Sequence, residues 1–243
     1  MPLLRWSPSR IGAGVRNDTT NGNTSEAAAV GYVLRHARQD DIDDVLATFD
    51  EFANDESMPI DLGEEKGQYL EAAVHTANPV LALELGTYCG CGALRIARAA
   101  PAAKVYSVER TRANAENARE IWAHAGVADR LTCVVGAIGD GGRTLDTLAG
   151  RYGFASGTLD FIFLDHDTDT YLEDLHSILD REWLHAGSIV VADNVKGPGA
   201  PKYRDYMRQQ PCNRWTSIEH RAHRERQSLV SDVIMESEYM GAV

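Results

Sequence analysis

Several absences narrow the field before any motif is read. The 243-residue chain has no apolar run long enough to cross a bilayer, so no membrane partner is expected. Its first residues also lack the continuous apolar core of a secretory leader, which makes cytoplasmic residence the expectation. Positive charge is not in excess: 36 acidic against 24 basic residues give a formal charge of −12. That balance argues against a surface built to neutralise a phosphate backbone, and no nucleic-acid partner is expected. Cysteine is scarce, and Cys89, Cys91, Cys133 and Cys212 have neither zinc-site nor disulfide-framework spacing. Small buried thiols are the reading. With 44% hydrophobic residues and only 8 prolines, the chain can bury one large core.

Residues 1–25 carry little periodicity and are expected to form a disordered tail. Residues 26–243 are expected to form one domain, of which residues 26–79 supply helices covering a ligand end. Val30, Val33, Leu34, Ile42, Val45, Leu46 and Phe49 fall at helical spacing with a break near residues 39–41, predicting two short helices, the second capped by an aspartate. Residues 58–67 read as a loop, followed by a helix through Tyr69, Leu70, Ala73 and Val74. Strands and helices then alternate: strands at about 80–85, 104–108, 130–135, 159–164 and 188–192, with helices between. Residues 215–219 and 229–235 read as a late antiparallel pair, because no crossover helix fits between them. The basic interval between them reads as a hairpin tip.

The organising stretch is residues 80–92, VLALELGTYCGCG, an apolar strand running into a glycine-rich turn and the start of a helix. Gly86 allows a sharp turn, and Gly90 or Gly92 allows the backbone to approach a ligand closely. The spacing is neither a phosphate loop nor a G-x-G-x-x-G fingerprint. Glu84, just before the first glycines, suits a ligand with a cationic amino group better than pyrophosphate, which a carboxylate would repel. S-adenosylmethionine carries such a group. Glu109, at the end of the second strand, stands close to the distance at which a carboxylate reaches a ribose diol. At the ends of strands four and five stand Asp165, Asp193 and Asn194. Two carboxylates and an amide oxygen form a hard oxygen set suited to Mg²⁺, with positions left for water and substrate.

ALELGTYCG, Glu109, FLDHDTDTYLEDL and VVADNVKGPG, with DLGEEKGQ before the first strand, together resemble the catechol O-methyltransferase family. The resemblance implies an α/β Rossmann-like class I methyltransferase fold. Its sheet would be seven-stranded and mostly parallel with one antiparallel edge strand, and helices would cover both faces. It implies S-adenosylmethionine as methyl donor and Mg²⁺ holding the two hydroxyls of an aromatic diol, in a monomer or homodimer. The donor would meet Glu84, Gly86, Tyr88, Gly90, Gly92, Glu109, Ile138, Asp165 and His166. Asp165, Asp193 and Asn194 would bind the metal, and Met58, Asp167, Asn194 and Pro198 would line the substrate.

The family's general-base lysine, and the tryptophan before it, are replaced here by Thr168 and Asp167, while another aromatic wall becomes Met58. Metal activation alone, Lys196, Asp167 or a hairpin histidine are the candidates for proton removal. Asp165, Asp167 and Lys196 thus form the catalytic set. Glu219 or Glu225 would hold the substrate's second hydroxyl. The competing reading is a donor-binding protein with degenerate or no transferase activity.

Overall fold

The computed structural model describes residues 25–56, 62–196, 199–209, 214–224 and 227–241. Residues 1–24 of the expected disordered tail, Met58, Pro198, Cys212 and Glu225 lie outside them, while Ser25, the last residue of that tail, begins a helix. Three helices come first: α1 (Ser25–His36), α2 (Ile42–Glu56) and α3 (Glu64–Ala77). The alternating unit follows as β1 (Leu81–Leu85), α4 (Cys91–Ala99), β2 (Lys104–Glu109), α5 (Arg112–His124), β3 (Leu131–Val135), α6 (Arg143–Tyr152), β4 (Leu159–Leu164), α7 (Tyr171–Leu179) and β5 (Leu184–Ala192). A short helix α8 (Pro201–Arg208) leads to the hairpin β6 (Trp215–Arg224) and β7 (Gln227–Tyr239).

The seven strands form one sheet in the order β3-β2-β1-β4-β5-β7-β6. β1 to β5 are mutually parallel, β7 runs antiparallel to β5, and β6 pairs antiparallel outside β7. The expected class I methyltransferase architecture is therefore present, with an antiparallel pair closing one edge. Parallel strands need both faces covered, and two apolar layers do this. One joins α1 to α5 with Phe161, Phe163, Val191 and Ile234. The other joins α6 to α8 with Leu83, Leu85, Ile162, Leu164, Val190 and Met235. Alternate residues of β4 and β5 point to opposite layers, as period-2 geometry requires.

The predicted aspartate cap is Asp41, whose carboxylate accepts the Asp44 N–H at 3.0 Å. Three boundaries differ from the sequence reading. α3 begins at Glu64 and takes in Gly67, where an added Cβ would overlap the Arg95 guanidinium, so a glycine fits inside this helix. β5 begins at Leu184, because Ser188 staples an irregular start by accepting from His185 N–H and donating to the Leu159 carbonyl. The hairpin strands are longer than read: residues 220–224 pair with β7 rather than forming a tip. α8, which the sequence reading left unassigned, starts on Pro201 and buries Tyr203 and Met207.

Candidate active site

All the chemistry-bearing residues foreseen on the parallel strands reach the carboxyl rim of the sheet, in two halves. In the first, β1 runs into its turn at Gly86 (φ +99°), where a Cβ would overlap the Asp165 carbonyl at the end of β4. Glycine is required there for conformation and for closeness. Gly90 (φ +89°) caps α4, and its carbonyl accepts the Trp122 indole N–H at 3.0 Å. The space beside Gly92 is filled by the Glu84 carboxylate, which also accepts the Ser107 hydroxyl. Ser107 lies 2.5 Å from the Thr87 hydroxyl, so this carboxylate ends a buried polar chain. Burial pushes Glu84 up to about 8, against the opposing pull of Ser107 and the Ala93 N–H.

Glu109 is held by backbone. Its Oε2 accepts the Tyr88 N–H at 3.0 Å and its Oε1 accepts the Thr111 N–H at 2.7 Å. Tyr88 itself has φ +48°, and its hydroxyl donates to Glu26 of α1 at 3.2 Å, tying the first helix to this turn. Ile138 is buried in the turn after β3. His166 stacks on Tyr171 with ring centroids 4.8 Å apart, and its Nε2 lies 2.8 Å from Asp174.

The second half lies at β4 and β5. Asp165 N–H donates to the Leu85 carbonyl and Asp193 N–H to the Leu164 carbonyl, so both follow the last rungs of adjacent strands. Asp193 is fully buried, and its Oδ2 accepts from Lys66 Nζ at 2.8 Å. The same ammonium donates to Asp232 Oδ2 at 3.0 Å, and Asn194 Nδ2 donates to that oxygen at 2.6 Å. Asp232 Oδ1 accepts the Val233 N–H at 2.8 Å. Asp193 Oδ1 has no hydrogen-bond partner. Asn194 (φ +54°) has its nitrogen committed to Asp232, which leaves its amide oxygen as the acceptor end.

The electrostatics of this cluster are unequal. Burial pushes the Asp193 carboxyl up to about 6, although the Lys66 ammonium pulls it down. At Asp232 burial also works upward, but the same ammonium wins and the carboxyl is lowered. Lys66 is raised: burial disfavours its charge, and two carboxylates outweigh burial. Breaking such a buried pair by removing one partner costs about 3–5 kcal/mol. Among the described residues, no three His, Cys, Asp or Glu side chains form a ready-made metal centre. A buried carboxylate oxygen without a partner, on the residue before an asparagine whose amide oxygen is left as the acceptor end, nevertheless fits the donor chemistry of a hard cation.

Asp167 is exposed, and its carboxylate accepts the Asp169 N–H at 3.3 Å within the turn that leads to α7. Lys196 is also exposed, two residues beyond Asn194. Glu219 faces α8, where Arg204 grips it at 2.8 and 2.7 Å and Arg208 at 2.7 Å. Those contacts hold it well down, at about 2. His220, one residue on, faces the other side of the sheet and stacks on Tyr69 of α3 at 4.6 Å. Sequence reasoning missed Lys66 and Asp232. Their signals were slight: a lysine in the first turn of a helix, and a lone carboxylate in the otherwise mainly apolar VSDVIM.

The sheet order, the glycine turn at β1 and the acidic strand ends define a Rossmann-like class I methyltransferase. A family model described as O-methyltransferase matches residues 39–221, about three quarters of the chain, and the protein belongs to that family. Its chemistry is S-adenosylmethionine-dependent methyl transfer. The chain is 66% identical over 234 residues to a probable O-methyltransferase of Mycobacterium tuberculosis, covering 95% of this chain and 100% of the relative. It is 34% identical over 188 residues to catechol O-methyltransferase of Bos taurus, covering 77% of this chain and 67% of that one. The fold is similar to that of the O-methyltransferase TomG of Streptomyces achromogenes, solved in complex with SAM. The TM-score is 0.63 at 21% identity, covering 88% of this chain and 96% of that one.

Proposed function

We propose that this enzyme transfers the methyl group of S-adenosylmethionine to one hydroxyl of a vicinal aromatic diol held by Mg²⁺. The observation that carries the reading is the buried, unpartnered Asp193 Oδ1 at the strand rim, on the residue before Asn194 and at the end of the strand adjacent to the one that Asp165 follows. The 34% identity to bovine catechol O-methyltransferase supports the diol. Asp165, Asp193 and Asn194 would hold the metal, which when bound supplies Lewis-acid activation and a template for the two oxygens.

The remaining work belongs to the chain. Glu84 faces the donor's ammonium group and Glu109 its ribose hydroxyls, with Gly86, Tyr88, Gly90, Gly92, Ile138, Asp165 and His166 completing the donor's surroundings. Orienting the donor methyl against the acceptor oxygen accounts for up to about 7–11 kcal/mol of barrier in well-ordered systems. Asp167, Asn194, Met58 and Pro198 line the acceptor. The acceptor's proton leaves toward the exposed rim, where the Asp167 carboxylate, or Lys196 as the neutral amine, takes it. Lys66 does not take this part, since its ammonium is shared between two buried carboxylates.

The test is release of S-adenosylhomocysteine by purified protein with S-adenosylmethionine and a panel of neutral, carboxylated and amine-bearing catechols, in Mg²⁺ and in excess EDTA. Turnover that disappears with EDTA is expected. Turnover indifferent to EDTA would overturn the metal, and intact donor binding without turnover on any diol would overturn the acceptor class.

A further inference from the structure

The cluster around Lys66 does more than neutralise buried charge. Lys66 reaches from the first turn of α3 to Asp193 after β5, 127 residues away, and to Asp232 in β7, 166 residues away. Lys66, Asp193 and Asp232 are each at most 3% exposed. Within the cluster the carboxylate and amide oxygens divide into those that are engaged and those that are not. Asp193 Oδ2 and Asp232 Oδ2 share the ammonium, Asp232 Oδ2 takes the Asn194 amide N–H₂, and Asp232 Oδ1 takes the Val233 N–H. The two ends not engaged there are Asp193 Oδ1 and the Asn194 amide oxygen. These are the two oxygens that the proposed function gives to the metal.

We infer that Lys66 and Asp232 are positioning residues of the cation site, forming a brace that turns one oxygen of Asp193 and the amide oxygen of Asn194 toward the metal. The inference rests on the metal-dependent reading and goes beyond it, because neither residue is among those that reading gives to the metal or to either substrate. The amide is the clearer case. An unrestrained asparagine can present nitrogen or oxygen, and only oxygen ligates a hard cation. Asp232 settles the choice by accepting from the nitrogen. At Asp193 the ammonium holds one carboxylate oxygen, so only the other is offered. One-oxygen donors suit the six-coordinate geometry of Mg²⁺ or Mn²⁺, whereas Ca²⁺ often takes both oxygens of a carboxylate. Charge follows the same logic. Asp165, Asp193 and Asp232 together carry three negative charges and Lys66 returns one, leaving a net −2 opposite a divalent ion.

The direct test is Mn²⁺ binding to the full chain without acceptor, followed by electron paramagnetic resonance, with S-adenosylhomocysteine binding and thermal melting measured in parallel. Asp232→Ala leaves Lys66 and Asp193 paired one to one and is expected to fold. It should weaken Mn²⁺ binding by about 10–100-fold, the usual cost of losing an outer-shell partner. Lys66→Met should weaken Mn²⁺ similarly and let Ca²⁺ compete better against it, since both Asp193 oxygens are then free. S-adenosylhomocysteine binding should be unchanged in both, which a general loss of structure would not allow. Should Lys66→Met fail to fold, Asp232→Ala decides alone. Wild-type Mn²⁺ affinity in folded Asp232→Ala overturns the brace and leaves the metal reading standing. A wild-type protein that binds no Mn²⁺ overturns both.

Discussion

The two halves of the rim hold their carboxylates by different means. At the half proposed to hold the methyl donor, called the donor half below, Glu109 is fixed by two backbone N–H groups, one of them two residues away, and Glu84 sits at the start of α4 against a serine hydroxyl. At the half proposed to hold the metal and acceptor, called the acceptor half below, Asp193 is fixed by a side-chain ammonium from 127 residues earlier in the chain. Of the two backbone donors one is local, and the other is in place once β1 and β2 have paired. An ammonium between two buried carboxylates exists only once α3, β5 and β7 have come together. The difference is one of dependence: the first half needs only two neighbouring strands and the turns that follow them, whereas the second needs α3, β5 and β7 together.

The largest effect is therefore expected from Asp193→Ala. On the proposed metal-dependent mechanism, losing this ligand removes several kcal/mol of stabilisation and should lower kcat/KM by about 10³-fold or more. Donor binding should survive, because no donor-half hydrogen bond passes through Asp193. Calorimetric titration with S-adenosylhomocysteine beside the turnover assay checks both; loss of donor affinity in this variant would mean that the halves are not separable. Glu109→Ala is the converse. It removes a charged acceptor from two backbone donors and, in the proposed role, from the donor's ribose, and at about 1.5–3 kcal/mol for a charge-assisted bond should weaken donor binding about 10–100-fold. Mn²⁺ affinity without donor should stay at the wild-type value.

How much of each half could be read from sequence follows from the same contrast. The strand, the glycine turn and the carboxylate one strand later are within a 30-residue window, so period, turn chemistry and spacing locate Glu84, Gly86 and Glu109 unaided. Asp165, Asp193 and Asn194 could be found because strand ends share a rim in any open parallel sheet. Lys66 could not. In EEKGQ it resembles a solvated helix start, and treating Gly67 as the end of a loop pushed α3 too far along the chain. The guanidinium of Arg95, which makes a glycine fit at that point in the helix, comes from α4 and leaves no trace near residue 67. The hairpin was shortened for a related reason. Residues 220–224 are mostly basic and polar, yet they remain paired because one edge of β6 is held along its whole length by β7.

A subtler comparison concerns Glu84 and pH. Its folded value, about 8, lies above the ordinary 4.5, so its contribution to stability is complete below 4.5 and is lost as pH rises through 8. Without donor, the protein should lose stability from this group over that interval. Glu84→Gln carries no such penalty, so its melting temperature should gain on the wild type between pH 5 and 8.5. In the proposed role the donor's ammonium favours the ionised carboxylate, so binding at pH 7 should release a proton. Calorimetry in two buffers of different ionisation enthalpy measures it. No release in the wild type would show that Glu84 serves the start of α4 rather than the ligand.

The smallest effect on turnover is expected from Glu219→Gln, and it marks where the acceptor half ends. Glu219 is one of two glutamates considered for the substrate's second hydroxyl, but Arg204 and Arg208 occupy both its oxygens on the α8 side of the sheet. Turnover should change less than about twofold, well under the 1.4 kcal/mol that a tenfold change represents. Stability should fall by about 1–2 kcal/mol, more than an exposed pair is worth and less than a fully buried one. Its folded value, about 2, lies below the ordinary 4.5, so this contribution is present above 4.5 and disappears as pH falls through 2. The stability gap between wild type and variant in urea should therefore be full at pH 7 and closed near pH 2. A large fall in kcat/KM with stability unchanged would reverse the assignment: Glu219 would then belong to the substrate, and the acceptor half would reach through β6 to the far face of the sheet.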